Sequence, residues 1–337
     1  MAYGTINADV IGTSVSGSNL GAGNASIMKN RIINGAMVID QRNAGASVTP
    51  IANGQYTLDR WSAEISIASK FSVQQNAGSL TPVSTTGFVN YLGVTSLSAY
   101  SVLSSDYFDI NQKIEGLNIT DLAWGTANAK TVTISAWVYS SLTGTFGGSI
   151  RNSANNRSYP FTYSITTANT WTQISVTVVG DTSGTWLTTN GIGLILAFSV
   201  GMGSTYSGTA GTWASANYGS ATGTTSVVGT NGATFYITGV QLEVGSSATG
   251  YEYRLYNQEL IACQRYYQVL DTIVVVPAVV GVYPSWTYIV SPRTTPTMTY
   301  SYAGGTGATF SIGANGFYQS GNHSIASGFV ANVSAEL

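Results

Sequence analysis

Hydrophobic and polar positions alternate over long parts of the chain. Between Gly191 and Gly201, the residues Ile192, Leu194, Leu196, Phe198 and Val200 occupy every second position, the pattern of a strand with one apolar face. Thr131 to Tyr139 does the same with Val132, Ile134, Ala136 and Val138. Tyr159, Phe161, Tyr163 and Ile165 share one parity, as do Ile174, Val176 and Val178. Gly, Asn and Thr turns separate these runs, and many short strands at close spacing predict an antiparallel sandwich of jelly-roll type. From Gly232 to Val244 the alternation changes phase: Phe235 and Ile237 hold one parity, Val240, Leu242 and Val244 the other, with Gly239 at the switch. An extra residue at a glycine predicts a β-bulge that re-aims the rest of the strand.

Past Gly245 a turn-forming run leads to Tyr251, Tyr253 and Tyr256, after which Asn257 is placed to cap a short helix. Leu260, Cys263, Gln264 and Tyr267 would share one side of it. The organisation expected is an N-terminal docking arm over residues 1–30, a carbohydrate-binding-like jelly roll over 31–256, a connecting helix over 257–268, and a smaller β domain over 269–337. In the first domain, Arg31 to Arg42 reads as an opening strand, and Tyr56 to Trp61 follows after turn signals. The last domain carries strand signals at 272–283, interrupted by Pro277, then at 286–290, 297–302, 309–312 and 327–337. Gly201 to Gly232 has no periodicity, and a loop that long in a compact domain is expected to serve a function or an interface.

Composition narrows the function. Only 8% of the 337 residues are charged, far below the roughly 25% of ordinary soluble proteins. No charge lies between Asp181 and Glu243, or between Arg293 and Glu336. The longest apolar run, Ile273 to Tyr283, is too short to cross a bilayer and contains a proline, so membrane insertion is not expected. A net charge of −2 with scattered Lys and Arg gives no footprint for nucleic acid. The single cysteine, Cys263, excludes an internal disulfide framework, and no basic-then-apolar leader opens the sequence.

Catalytic signatures are absent. The one histidine, His323, lies in a Gly/Ser/Asn turn, and there is no Gly-x-Ser-x-Gly elbow, phosphate loop or dinucleotide fingerprint. A glycosidase needs only two carboxylates, and Asp106, Asp109, Glu115, Asp121, Glu243 and Glu252 are available, but sequence cannot show two of them facing each other. Asp40-Gln41-Arg42 and Asp59-Arg60-Trp61 read as ion pairs fixing strand ends. Asp106 and Asp109 are the candidate oxygen donors should a sandwich loop hold calcium. The remaining hint is aromatic, with 7 tryptophans and 21 tyrosines among many hydroxyl and amide side chains. Aromatic faces stack on the C–H faces of sugar rings while amides and hydroxyls pair with sugar hydroxyls. Trp137 has the polar-face parity of its strand, and Trp186 and Trp213 sit in Gly/Thr/Ser loops. These three are the glycan-binding candidates, core or interface packing being the other reading of each.

Asn30 to Arg42 (NRIINGAMVIDQR), Leu58 to Trp61 (LDRW), Ile237 to Glu243 (ITGVQLE), Glu259 to Tyr267 (ELIACQRYY) and the terminal Ser-Ala-Glu-Leu together resemble a family of bacteriophage virion proteins. The chain looks like tail-fibre or capsid-fibre components whose main domain is a jelly roll like that of carbohydrate-binding modules. The resemblance implies a non-enzymatic structural protein, commonly a homotrimer, held on the virion surface through contacts of its arm with other capsid or tail proteins, and able to meet host-surface glycans. A polysaccharide-degrading tailspike and a free carbohydrate-binding module are the alternatives. The resemblance supplies no sugar site, because the shared motifs read as a first strand, a last strand and a helix.

Overall fold

The structure, a computed structural model, describes residues 29–83, 86–272, 285–305, 309–320 and 325–337. The expected docking arm over 1–30, apart from its last two residues, the strand signal at 272–283, apart from Thr272, and the turn holding His323 lie outside the described residues.

The larger unit is an antiparallel sandwich of jelly-roll type. One sheet has six strands: β1 (Gln55–Leu58), β2 (Trp61–Ile65), β5 (Tyr107–Glu115), β10 (Ile192–Met202), β7 (Gly144–Arg151) and β8 (Ser158–Ile165), in that spatial order. The other has five: β3 (Phe71–Gln75), β4 (Leu92–Ser96), β13 (Thr234–Val244), β6 (Val132–Ser140) and β9 (Thr172–Val178). The alternating residues named above meet between them. Val132, Ile134, Ala136 and Val138 from one sheet and Leu194, Leu196, Phe198 and Val200 from the other form one core with Trp61, Phe71, Phe108, Phe146 and Phe235. Within the stretch 201–232, β11 (Ser207–Gly208) and β12 (Ser220–Ala221) form a short parallel pair that pins the segment over the outer face of the six-stranded sheet.

The bulge falls where the phase change places it: the β13–β6 register shifts between Thr238 and Gln241, and Gly239 has a φ of 61°. Its unpaired backbone is satisfied by the N-terminal motif. Val240 donates to the Gly35 carbonyl at 2.9 Å, Leu242 to Asn30 Oδ1 at 3.0 Å, and Arg31 to the Leu242 carbonyl at 2.9 Å. A Cβ at position 35 would sit 2.2 Å from the Val240 oxygen, so only glycine allows this approach.

The expected first strand over 31–42 is not one. Asn34 and Met37 take positive φ, and the segment is buried but irregular. Its polar side chains bond turns within and just beyond the segment, so no continuous ladder forms with a neighbouring strand. Asn34 Nδ2 donates to the Ile39 and Asp59 carbonyls, and Asp40 accepts from the amides of Asn43 and Gly45. The helix, α1, spans Tyr256–Gln264 with Leu255 as its N-cap, so Asn257 lies inside it and caps nothing. Glu259, Cys263 and Gln264 form its buried face, and the chain re-enters a strand at Tyr267.

In the smaller unit, β14 (Tyr267–Thr272), β19 (Ile325–Ser334) and β16 (Thr297–Gly305) form one sheet. A second contains β15 (Ser285–Thr287), β18 (Gly316–Ser320) and β17 (Thr309–Ile312). The alternation did not mark β18. Leu270, Tyr288, Phe317, Phe329, Ala331 and Val333 make its core.

A buried polar hub joins the units. Glu336, two residues past β19, pairs with Arg60 and, at 2.8 Å, with Arg42. Arg60 stacks over the Tyr266 ring at 3.6 Å, and Arg42 over Tyr267 at 3.7 Å. Asp59 accepts from the amide and side chain of Gln41 at 2.7 and 2.6 Å, while Glu115 takes a two-pronged pair from Arg265 and a hydroxyl from Tyr266. The charged motifs therefore pair with the far end of the chain rather than within each triplet.

Candidate functional site

Strands β2 and β5 place Glu64 directly opposite Asp109 on the outer face of the six-stranded sheet, because their alternation sends Ala63, Ile65, Phe108 and Ile110 into the core. Arg151, at the end of β7, reaches both carboxylates through one guanidinium nitrogen, 2.8 Å from Glu64 and 3.4 Å from Asp109. Its other terminal nitrogen donates to Asn217 Oδ1 at 3.3 Å. Above this floor the rings of Tyr107 and Tyr206 meet edge to face at 5.3 Å. Tyr206 and Asn217 come from the aperiodic stretch 201–232. With Asn53 and Asn155 these groups line an open pocket of about 170 Å³.

Burial pushes Asp109 up to about 7, with Glu64 adding to the rise and Arg151, Asn111 and Lys113 opposing it. Burial likewise pushes Asp59 up to about 6 against the bonds from Gln41 and the charge of Arg42. Burial would also raise Asp106 and Glu115, but their bonds to Leu103, Tyr100 and Ser66, and to Arg265 and Tyr266, leave both below the usual range. The signs divide by pH. A carboxyl raised by folding contributes stability that is fully present below its unfolded value of about 4 and is lost progressively as pH climbs to its folded value of about 6 or 7; a lowered one contributes stability that is lost as pH falls below about 4. Thermal unfolding should therefore show a maximum near pH 4, with Tm several degrees lower at pH 8. Asp109→Asn should flatten the decline between pH 4 and 7, and a wild-type Tm that rises across that window would contradict these assignments.

The sequence candidates are scattered by the fold. Trp186 is only 7% exposed, packed edge to face with Trp124 at 4.7 Å, so it is a core residue and not a stacking platform. Trp213 packs at 5.4 and 5.5 Å on the same two rings and donates its N–H to the Val179 carbonyl. It clamps the loop to the sandwich. Trp137 stands half-buried on the outer face of the five-stranded sheet, away from both. Asp106 and Asp109 do not converge on a cation site: Asp106 accepts from Ser66, Tyr100 and the Leu103 amide, whereas Asp109 faces Arg151 and Asn111. Among the described residues no group of three or more His, Cys, Asp or Glu side chains is placed to hold a metal.

Sequence reasoning missed Glu64, Tyr107, Arg151, Tyr206 and Asn217. The available signal was parity. Glu64 and Asp109 are charged residues flanked on both sides by apolar ones in strand patterns, which places them on a common outer face once those strands pair.

The fold and pocket define an antiparallel β-sandwich protein with a small, polar, tyrosine-walled site on one sheet. No family model matches the chain, and no curated protein matches it. Among solved structures, it is similar to the enzymatically active domain of tailspike protein 4 of bacteriophage CBA120, at 13% identity and a TM-score of 0.35, covering 64% of this chain and 22% of that one. A putative sugar-binding protein from Bacteroides thetaiotaomicron is 10% identical with a TM-score of 0.37, covering 64% and 100%. A family 4 carbohydrate-binding module is 16% identical with a TM-score of 0.31, covering 63% and 98%. All are distant in sequence and in overlay.

Proposed function

We propose that this chain is a surface component of a bacteriophage particle that binds host glycans through the pocket between Tyr107, Tyr206 and Arg151, without cleaving them. The observation that carries the glycan reading is the pocket's make-up. Two tyrosine rings fixed edge to face offer apolar walls, and Asn, Glu and Arg side chains held by buried bonds offer hydroxyl partners in fixed directions. The virion reading rests on the sequence motifs. Much of that motif set converges on the Glu336 hub or the Gly239 bulge, which suits a structural protein whose units must keep a fixed relation. A homotrimeric state and docking through residues 1–30 complete the proposal.

Calorimetry of the full chain against isolated host-surface polysaccharides tests it. Tyr107→Ala and Tyr206→Ala should each weaken binding at least about tenfold, in line with losing an aromatic contact of 1–2 kcal/mol or more. Undiminished binding by both variants would remove the pocket from the proposal.

One observation favours a second reading, glycoside hydrolysis. Glu64 and Asp109 face each other with Asp109 held up near neutrality, an arrangement that could divide acid and nucleophile roles. Release of reducing ends from those polysaccharides, abolished by Glu64→Gln, would establish it. We expect none, because Arg151 occupies the space between the two carboxylates.

A further inference from the structure

The outer face of the five-stranded sheet is covered at both ends and open in the middle. At one end Tyr91, Tyr139, Tyr236 and Trp171 pack on one another with ring centroids 5.1 to 5.6 Å apart. At the other, the chain leaving β13 turns back across its own sheet. Thr249 bonds Glu243 through its amide and hydroxyl, and the Glu252 amide donates to Gln241. Between these covers lies a pocket of about 280 Å³, walled by Trp137, Tyr251 and Tyr253 and edged by Ser135, Gln173 and Thr249. The bulge shapes its far wall. Phe88 lies against Gly239, where a Cβ would come within 2.4 Å of its ring, and holds the Tyr251 and Tyr253 rings at 5.0 and 5.5 Å.

Trp137 differs from most of the other tryptophans. Trp61, Trp124, Trp171, Trp186 and Trp213 each donate the indole N–H to a backbone carbonyl, whereas that of Trp137 has no protein acceptor among the described residues. Its neighbour across the β6–β9 ladder is Gln173, whose exposed side chain stands beside the ring. No charged residue lines the pocket, in contrast to the Glu64–Asp109–Arg151 floor on the opposite sheet.

We infer that this pocket is a second saccharide subsite, taking a single neutral pyranose unit stacked on Trp137 and hydrogen-bonded by its indole N–H and the Gln173 amide. An indole face with a free donor and an adjacent amide supplies both the apolar surface and the directional polar groups that a sugar ring requires, and the size suits a terminal residue rather than a chain. The inference does not depend on the tyrosine pocket. It makes the sandwich two-sided, with an uncharged site and a charged one facing opposite ways, so that two glycan ends could be held by one copy.

The test is titration of the ¹⁵N-labelled full chain with methyl β-D-glucopyranoside and methyl β-D-galactopyranoside up to about 100 mM, a range suited to millimolar affinity. The Trp137 indole cross-peak, identified by its loss in Trp137→Phe, should shift with at least one glycoside. Gln173→Ala, at an exposed position that leaves folding intact, should weaken that response at least about threefold, and Tyr107→Ala should leave it unchanged. An indole signal indifferent to both glycosides, or a response unaltered in Gln173→Ala, would overturn the inference. A response that disappears in Tyr107→Ala would overturn it too, by assigning the sugar to the other face.

Discussion

Replacing Glu336 with alanine is expected to cost about 3–5 kcal/mol of stability, the usual penalty for breaking a buried ion pair from one side. Glu336 is the shared partner of Arg60 and Arg42, and Arg60 is only 1% exposed. Without the carboxylate, the Arg60 guanidinium would keep the Lys113 carbonyl and the Tyr266 ring but have no counter-charge. The loss should also be local. Arg293 bonds the carbonyls of Ala335 and Glu336 beside the hub and exchanges bonds with Asn190 of the sandwich, so with the Glu336 pairs it ties the C-terminal sheet to the larger unit, and amide exchange should rise first in β14, β16 and β19. Urea unfolding with peptide-resolved exchange checks both points. A variant with methionine at 42, 60 and 336 together should recover much of the loss, since removing all three charges leaves none stranded. If Glu336→Ala unfolds at the wild-type midpoint, the hub holds nothing together.

Arg151→Met is expected to be pH-dependent. At pH 8 it should cost about 1 kcal/mol more than at pH 5.5, the most that one pH unit above the wild-type Asp109 value of about 7 allows, because that buried carboxyl must then face Glu64 without its cation or hold a proton against solvent. Removing the cation raises Asp109 further above its present value of about 7, so at pH 5.5 that carboxyl is neutral in both proteins and this added loss vanishes, leaving only the loss of the Arg151–Glu64 pair. Paired unfolding curves at the two pH values measure this. An equal loss at both would mean that Arg151 acts through packing alone and that Asp109 is not the titrating group.

The contrast between these two predictions reflects how much could be read along the chain. Period-2 runs such as Ile192–Val200 and Val132–Val138 announce their strands because a sheet with one face in a core must alternate. The phase change at Gly239 announced the bulge for the same reason. The segment 31–42 misled because it is as apolar as a strand. Asn34, Asp40 and Gln41 spend their hydrogen bonds on nearby turns and on Asp59, which no spacing rule registers. Asn257 looked like a helix cap, but Leu255, with extended backbone at φ −60° and ψ 143°, holds the N-cap position, and Asn257 falls inside the first turn. Tryptophan count suggested sugar platforms, yet Trp186 and Trp213 are consumed in closing the sandwich edge.

Alternation along the sequence by itself determined that this chain builds antiparallel sheets, where most strands run, and which side of each is apolar, since those properties depend only on neighbours one and two residues apart. Tertiary structure alone decided that Glu64 stands opposite Asp109, that Glu336 answers Arg60 across 276 positions, and that Trp137 rather than Trp186 keeps an open face. Strand order and register set those meetings, and they are fixed by how two sheets pack, a global quantity that no local pattern encodes.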